Sequence, residues 1–171
     1  TTIYPENNIQ RYYALVFNNY RKGKVKKSIE QLRRCIVFNN SNPYFYEIMG
    51  QIYFEQGDFD NAIKSFVEAI KINPNEKSFE LFLAKSLYHS KTSLNYKKSI
   101  NLLEKYIKND DFPIDAWHYL GLNYGKLKKL DLSSYAFAEK YLLVNQLDNA
   151  RIHINRAKKV SNNTVLLNKL R

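Results

Sequence analysis

Between residues 43 and 76 the apolar positions fall into two runs with helical spacing, separated by a short polar turn. Tyr46, Met49, Tyr53 and Phe54 recur three, four and one apart, which puts them on one face of a helix. Asn42 can accept a hydrogen bond from the first helical turn, and Pro43 suits the first helical position, where its missing N–H costs nothing. Gly57 can take the left-handed conformation that ends a helix, and Asp58 can cap the next one. The second run carries Ile63, Phe66 and Ile70 on one face, with small residues at Ala62 and Ala69, and Pro74 stops it. The pattern predicts two antiparallel helices that approach closely at Gly50, Ala62 and Ala69, with Tyr46, Tyr53 and Phe66 filling the gaps around them.

The same spacing returns along the chain. From Asp115, "DAWHYLGLNYGKLKK" supplies Trp117, Leu120, Gly121 and Tyr124 at matching offsets. Upstream, Leu15, Gly23, Ser28, Leu32 and Cys35 give a weaker match. Between the two lie Leu83, Ala84, Leu87, Ser99 and Leu103, with three additional residues expected in the turn around Thr92 to Leu94. After residue 130 the register slips. There "SSYAFAEKYLL" completes one hairpin and also starts another, because Ala150 and Ala157 follow in second-helix positions. One helix is expected to serve both roles, giving about nine helices plus a short terminal one at "VLLNKL".

Tyr46, Met49, Gly50, Tyr53, Ala62, Phe66, Ala69 and Pro74 stand where a tetratricopeptide repeat has its signature residues, and the unit resembles that family. The resemblance implies an all-α solenoid of helical hairpins, wound as a right-handed superhelix, whose first helices line a concave protein-binding face. The expected organisation is a linker at 1–8 from an upstream domain, then an array over 9–160. Its repeats fall at 9–42, 43–76, 77–113 and 114–146, with an irregular last unit at 131–162, and 161–171 forms a tail or a short capping helix. Carried over from the family, the groove includes Tyr13, Phe17, Tyr20 and Arg21 from the first repeat and Tyr44, Glu47, Gln51 and Phe54 from the second. The third adds Lys85, Tyr88 and His89, and the fourth adds His118, Leu122 and Lys126. Repeats that clamp a terminal carboxylate use Lys and Asn where Tyr13 and Phe17 stand, so that clamp is not expected here.

Composition changes this picture little. The net charge of +11 invites a nucleic-acid reading, yet the basic residues are dispersed, with the densest run at Arg21, Lys22, Lys24, Lys26 and Lys27 across a turn. Lys, Asn, Ile and Tyr all have A/T-rich codons, so an AT-rich genome accounts for the lysines, and a basic helical-repeat RNA binder is the remoter alternative. Most of the 14 tyrosines are expected in the core and the rest in the groove. Cys35, alone in "RRCIVF", reads as a small buried hydrophobe. No apolar run approaches the roughly 20 residues a membrane span needs. The opening "TTIYPENNIQ" has neither an initiator Met nor the pattern of a signal peptide, so the chain is read as a piece of a longer protein.

Catalytic groupings are missing: there is no HExxH, paired-Cys motif, Gly-rich phosphate loop or nucleophile elbow. His89, His118 and His153 are the three histidines. In repeat numbering His89 and His118 lie eight positions apart, about 12 Å along the axis, too far for one metal ion. No cofactor, metal or enzymatic activity is therefore expected of this chain.

A second resemblance covers residues from about 4 to 160. Tyr4-Pro5, "YRKG", "NPYFYEIMGQIYFEQG", "AWHYLGLNYGK" and "YAFAEKYLLVNQLDNARIHINRA" follow one another as in the C-terminal half of BepA/YfgC-type bacterial zinc metalloproteases. That resemblance implies a periplasmic protein whose zinc peptidase domain lies upstream, and a repeat domain that contacts it, the outer-membrane assembly machinery or client proteins. The alternative is a free-standing cytoplasmic repeat adaptor.

Overall fold

The computed structural model describes residues 5–110 and 112–169, the first four of them by backbone alone. Ten α-helices and no strand are found among the described residues. They are α1 (Pro5–Arg21), α2 (Val25–Phe38), α3 (Pro43–Glu55), α4 (Phe59–Ile72) and α5 (Lys77–His89). They continue as α6 (Ser93–Ile107), α7 (Ile114–Lys126), α8 (Leu130–Leu143), α9 (Leu147–Val160) and α10 (Thr164–Lys169). The chain divides into two compact units, 1–82 and 83–171, and the division falls within α5.

Local chemistry sets the helix ends. The Asn42 side chain accepts from the Tyr44 N–H at 3.0 Å, with Pro43 beginning α3. The Asp58 and Thr92 side chains accept from the N–H groups of Asn61 and Asn95 at the starts of α4 and α6. Four first helices end alike, with a residue of positive φ at Gly23, Gly57, Lys91 and Lys128, and Asn145 ends α8 the same way. At Gly57 the N–H donates to the Phe54 carbonyl and the Asp58 N–H reaches back to Tyr53, which satisfies two carbonyls that the helix itself leaves open. Glycine takes this conformation freely, whereas a lysine bears a Cβ clash of about 1–2 kcal/mol. Lys91→Gly and Lys128→Gly are therefore expected to gain about 0.5–1 kcal/mol, after the larger unfolded-state entropy of glycine is subtracted. Each gain reads as a rise in melting temperature, and Asn145→Gly should give less because asparagine already tolerates the conformation.

In the N-terminal unit, α1 packs on α2, α2 on α3, and α3 on α4. Val16, Leu32, Cys35, Phe45, Met49 and Ile52 form a core there. At Gly50, α3 and α4 approach closely enough that an added Cβ would sit 2.8 Å from the fully buried Phe66 ring. In the C-terminal unit α6 packs on α7, and α8 packs on both α7 and α9. Ala136 and Ala138, both buried in α8, are two residues apart and so about 200° apart around the helix. Small residues on two opposite faces let α8 approach two partners at once. Leu166 of α10 is buried against Ala157, Leu132, Tyr135 and Ile154.

A serine recurs at the hairpin contacts. Ser28 donates to the Val16 carbonyl, Ser99 to Ala84 and Ser133 to Gly121, each at 2.8 Å. Ala62 holds the corresponding place in the second hairpin. In those three hairpins the bond ties the second helix to one turn of the first and fixes their register.

Three expectations need correction. Helix α1 begins at Pro5, inside the stretch 1–8 assigned to a linker, since proline's fixed φ is suited to a helix start; residues 1–4 lie outside the described residues. The additional residues near Thr92 do not lengthen the turn, because Thr92 caps α6 and Ser93 and Leu94 lie in its first turn. Among the described tyrosines only Tyr96 and Tyr124 are buried. A two-helix layer is too thin to cover a large ring on every side, so the other tyrosines stay half-buried or exposed.

Candidate aromatic and histidine surface

The groove residues of the N-terminal unit fall into separate small groups. Tyr13 and Phe17 are 37% and 40% exposed on α1, their rings 5.1 Å apart, and Tyr13 leans on Phe45 of α3 at 5.8 Å. The Tyr20 hydroxyl donates to Glu55, which raises its pKa, and Arg21 is exposed at the end of α1. Tyr44, 48% exposed, meets Phe79 edge-on. Gln51 donates to Glu47, whose carboxyl is raised above its ordinary value by burial and then by nearby Glu76, against the effect of that bond. Phe54 turns to Phe59 at the start of α4, with centroids 5.5 Å apart.

In the C-terminal unit the predicted residues converge. Tyr119, half-buried on α7, is the common neighbour. The Tyr88 ring lies 5.6 Å from it, and His89 Nε2 lies 3.4 Å from its hydroxyl. Lys85 Nζ sits 5.6 Å from the same ring and pairs with Asp115, and the His118 ring is 5.6 Å away. Leu122 and Lys126 continue along α7 from His118 at spacings of four, on the same helix face.

The cluster then extends over α8 and α9 through residues that the sequence reading omitted. Lys140 Nζ lies 3.4 Å from His118 Nδ1 and 5.0 Å from the centre of the Tyr141 ring. Phe137 touches both His118 and His153, and Tyr141 stacks on His153 at 5.4 Å. All three histidines thus belong to one continuous strip. Burial is the first cause that lowers each of their pKa values. Neighbouring cations add to it: Lys91 at His89, Lys140 at His118, and Arg156 then Lys140 at His153. Asp115 opposes the effect at His118 alone. The imidazoles are therefore neutral near pH 7, presenting one donor and one acceptor each. The one signal in the sequence that pointed to Lys140, Tyr141 and His153 was the double role of α8, which turns part of that helix toward each neighbour.

A separate recess of about 410 Å³ lies among α6, α7, α8 and α10, lined by Trp117, Leu120, Tyr124, Leu132, Tyr135 and Leu166, among others. Its carboxylate Glu104 accepts from the Tyr124 hydroxyl, and burial, then that bond, pushes the tyrosine's pKa well up. A hydroxyl raised in this way holds its proton near neutral pH. Among the described residues, no group of three or more His, Cys, Asp or Glu could hold a metal ion, and no helix is long and apolar enough to cross a membrane.

Residues 43–76, the hairpin of α3 and α4, match the tetratricopeptide repeat family. No curated protein sequence matches the chain. Among solved structures, MamA 41-end from Desulfovibrio magneticus RS-1 is similar over 95% of this chain and 93% of its own, with a TM-score of 0.75 at 18% identity. A tetratricopeptide repeat protein from Parabacteroides merdae is similar over 98% and 71%, with a TM-score of 0.71 at 16% identity. Yeast Tom70 is similar over 97% of this chain and 37% of its own, with a TM-score of 0.70 at 21% identity. The fold is that of tetratricopeptide helical-hairpin repeats.

Proposed function

We propose that this chain is a protein-interaction scaffold, the repeat domain of a BepA/YfgC-type periplasmic zinc metalloprotease acting in outer-membrane protein assembly or quality control. The observation that carries the scaffold reading is the convergence on Tyr119 of aromatic rings, neutral histidines and cations from several helices. Such a surface offers contact area at low entropy cost and adaptable hydrogen bonding, which suits a protein segment. The repeat match at 43–76 supports the same reading. The metalloprotease assignment is supported by the order of those segments along the sequence. Zinc belongs in this proposal to an upstream peptidase domain. The described residues do not fit a zinc site, and no catalytic step is assigned to them.

The test has two arms. The reading frame upstream of Thr1 is expected to encode HExxH and an export signal, and a frame without them overturns the metalloprotease assignment and leaves the cytoplasmic adaptor. In the second arm, the separately expressed upstream region is captured on this chain. Tyr13→Ala, Tyr20→Ala and Tyr88→Ala together should abolish capture with the helical circular dichroism unchanged. Capture that survives this change, yet is lost on substituting the outer faces of the second helices, overturns the groove.

A further inference from the structure

Lys140 is a charge on the strip with rings and an imidazole around it in place of a carboxylate. Its side chain is half-buried in α8, its ammonium lies over Tyr141 and beside His118, and no carboxylate pairs with it among the described residues. Glu139, the next residue back, acts on Tyr135 instead and helps to raise that hydroxyl's pKa. An ammonium that no carboxylate neutralises attracts an anion brought beside it. Its neighbour cannot stand in for the anion, since an imidazole next to an ammonium is at best a neutral acceptor. The surrounding field has the same sign. Lys85, Lys91 and Arg156 flank the strip with Lys140, whereas Asp115, the carboxylate that acts on its histidines among the described residues, is already tied to Lys85.

We infer that the strip across α5, α7, α8 and α9 receives an extended acidic segment of a partner protein, with a carboxylate of that segment on Lys140 and its apolar side chains on Tyr119 and Tyr141. This rests on the scaffold reading and gives it a ligand chemistry. Charge complementarity sets the acidic character and the rings set the apolar one. Helices pack about 8–10 Å apart, so crossing from α5 to α9 takes about 20–30 Å, the length of roughly six to nine extended residues. A nucleic-acid strand fits less well. It would bring a phosphate at every step, and the strip meets it with neutral imidazoles and with Asp115, whose side chain is 60% exposed.

The test uses fluorescence anisotropy with a labelled nine-residue peptide of alternating Glu and Leu, and a twin carrying Gln for Glu, at physiological salt. The Glu peptide is expected to bind at least tenfold more tightly than its twin. Lys140→Met should weaken it at least tenfold, with no loss of melting temperature. Lys158→Met makes the same charge change at an exposed position on α9, and it should stay within twofold of the unaltered chain. Equal affinity for the two peptides overturns the inference. So does equal loss from Lys158→Met, which would reduce the effect to bulk charge, or displacement by oligo-dT at the same concentration as the unlabelled peptide. Two outcomes separate this inference from the scaffold reading. If both peptides bind and Tyr119→Ala weakens both alike, the acidic preference falls and the scaffold stands. If neither binds while the triple tyrosine change still abolishes capture, the acidic-segment inference alone falls and the scaffold reading stands.

Discussion

Gly50→Leu should cost about 3 kcal/mol, the upper end for overpacking a core, and should lower the melting temperature more than any exposed substitution. A β-carbon at this position meets three carbons of the Phe66 ring at 2.8–2.9 Å. The ring has no free direction in which to withdraw, being fully buried and stacked on Phe82 at 5.5 Å. The sharper comparison is with alanine. Gly50→Ala gains about 1 kcal/mol in helix propensity, yet must still displace a locked ring, so a net loss of about 1 kcal/mol is expected. Gly121→Ala meets Phe137 at 3.0 Å, and that ring is only half-buried beside His118 and His153. There the ring can move by the few tenths of an ångström required, so Gly121→Ala should be neutral or stabilising. Urea denaturation of the two alanine variants decides the matter. A Gly50→Ala protein as stable as the original, with Gly121→Ala clearly weaker, would sink this account of the hairpin contacts.

That contrast also shows what the sequence can and cannot reveal. The small residue at position 50 was legible because its helix, its turn and its large partner Phe66 lie within one hairpin, where spacing alone brings them together. The caps at Asn42, Gly57 and Asp58 were legible for the same reason, as each acts within a few residues of itself. The three additional residues near Thr92 were counted correctly and placed wrongly. A threonine that can cap, followed by residues able to continue a helix, turns an insertion into an extra helical turn. The strip around Tyr119 was legible only in part. Lys85, Tyr88, His89 and His118 lie on first helices, where the repeat pattern says which positions face outward. Lys140, Tyr141 and His153 lie on α8 and α9, beyond the point where the register slips, and no single-hairpin pattern assigns a face to them.

The residue most hidden from a sequence reading is Asn123, in "LGLNYGK", where an asparagine suggests an exposed position. It is fully buried. Its Nδ2 donates to Ser99 Oγ at 3.0 Å and to the Tyr119 carbonyl at 2.7 Å, while Ser99 itself donates to the Ala84 carbonyl, so one polar chain pins α7 to α6 and α6 to α5. Its Oδ1 is buried with no hydrogen-bond partner. Asn123→Asp therefore replaces an amide donor aimed at two acceptors with a carboxylate oxygen, at a fully buried position. The expected loss at pH 7 is about 3–5 kcal/mol, comparable to breaking a buried ion pair. Protonating the new carboxyl restores a donor, so the folded state holds that proton more tightly than the unfolded chain does. The penalty should then shrink as pH falls through the raised folded-state pKa, and become nearly constant below about pH 4, where the unfolded carboxyl is protonated too. Asn123→Leu removes the orphaned oxygen along with the donor and keeps the volume, so it should cost under about 1.5 kcal/mol at either pH. The measurement is the stability of each variant relative to the unaltered chain at pH 7 and pH 5. The difference for Asn123→Asp should narrow at the lower pH while that for Asn123→Leu stays fixed. A difference for Asn123→Asp that is small at pH 7, or that widens on acidification, would mean that position 123 is reached by solvent and that the polar chain does not hold these helices in register.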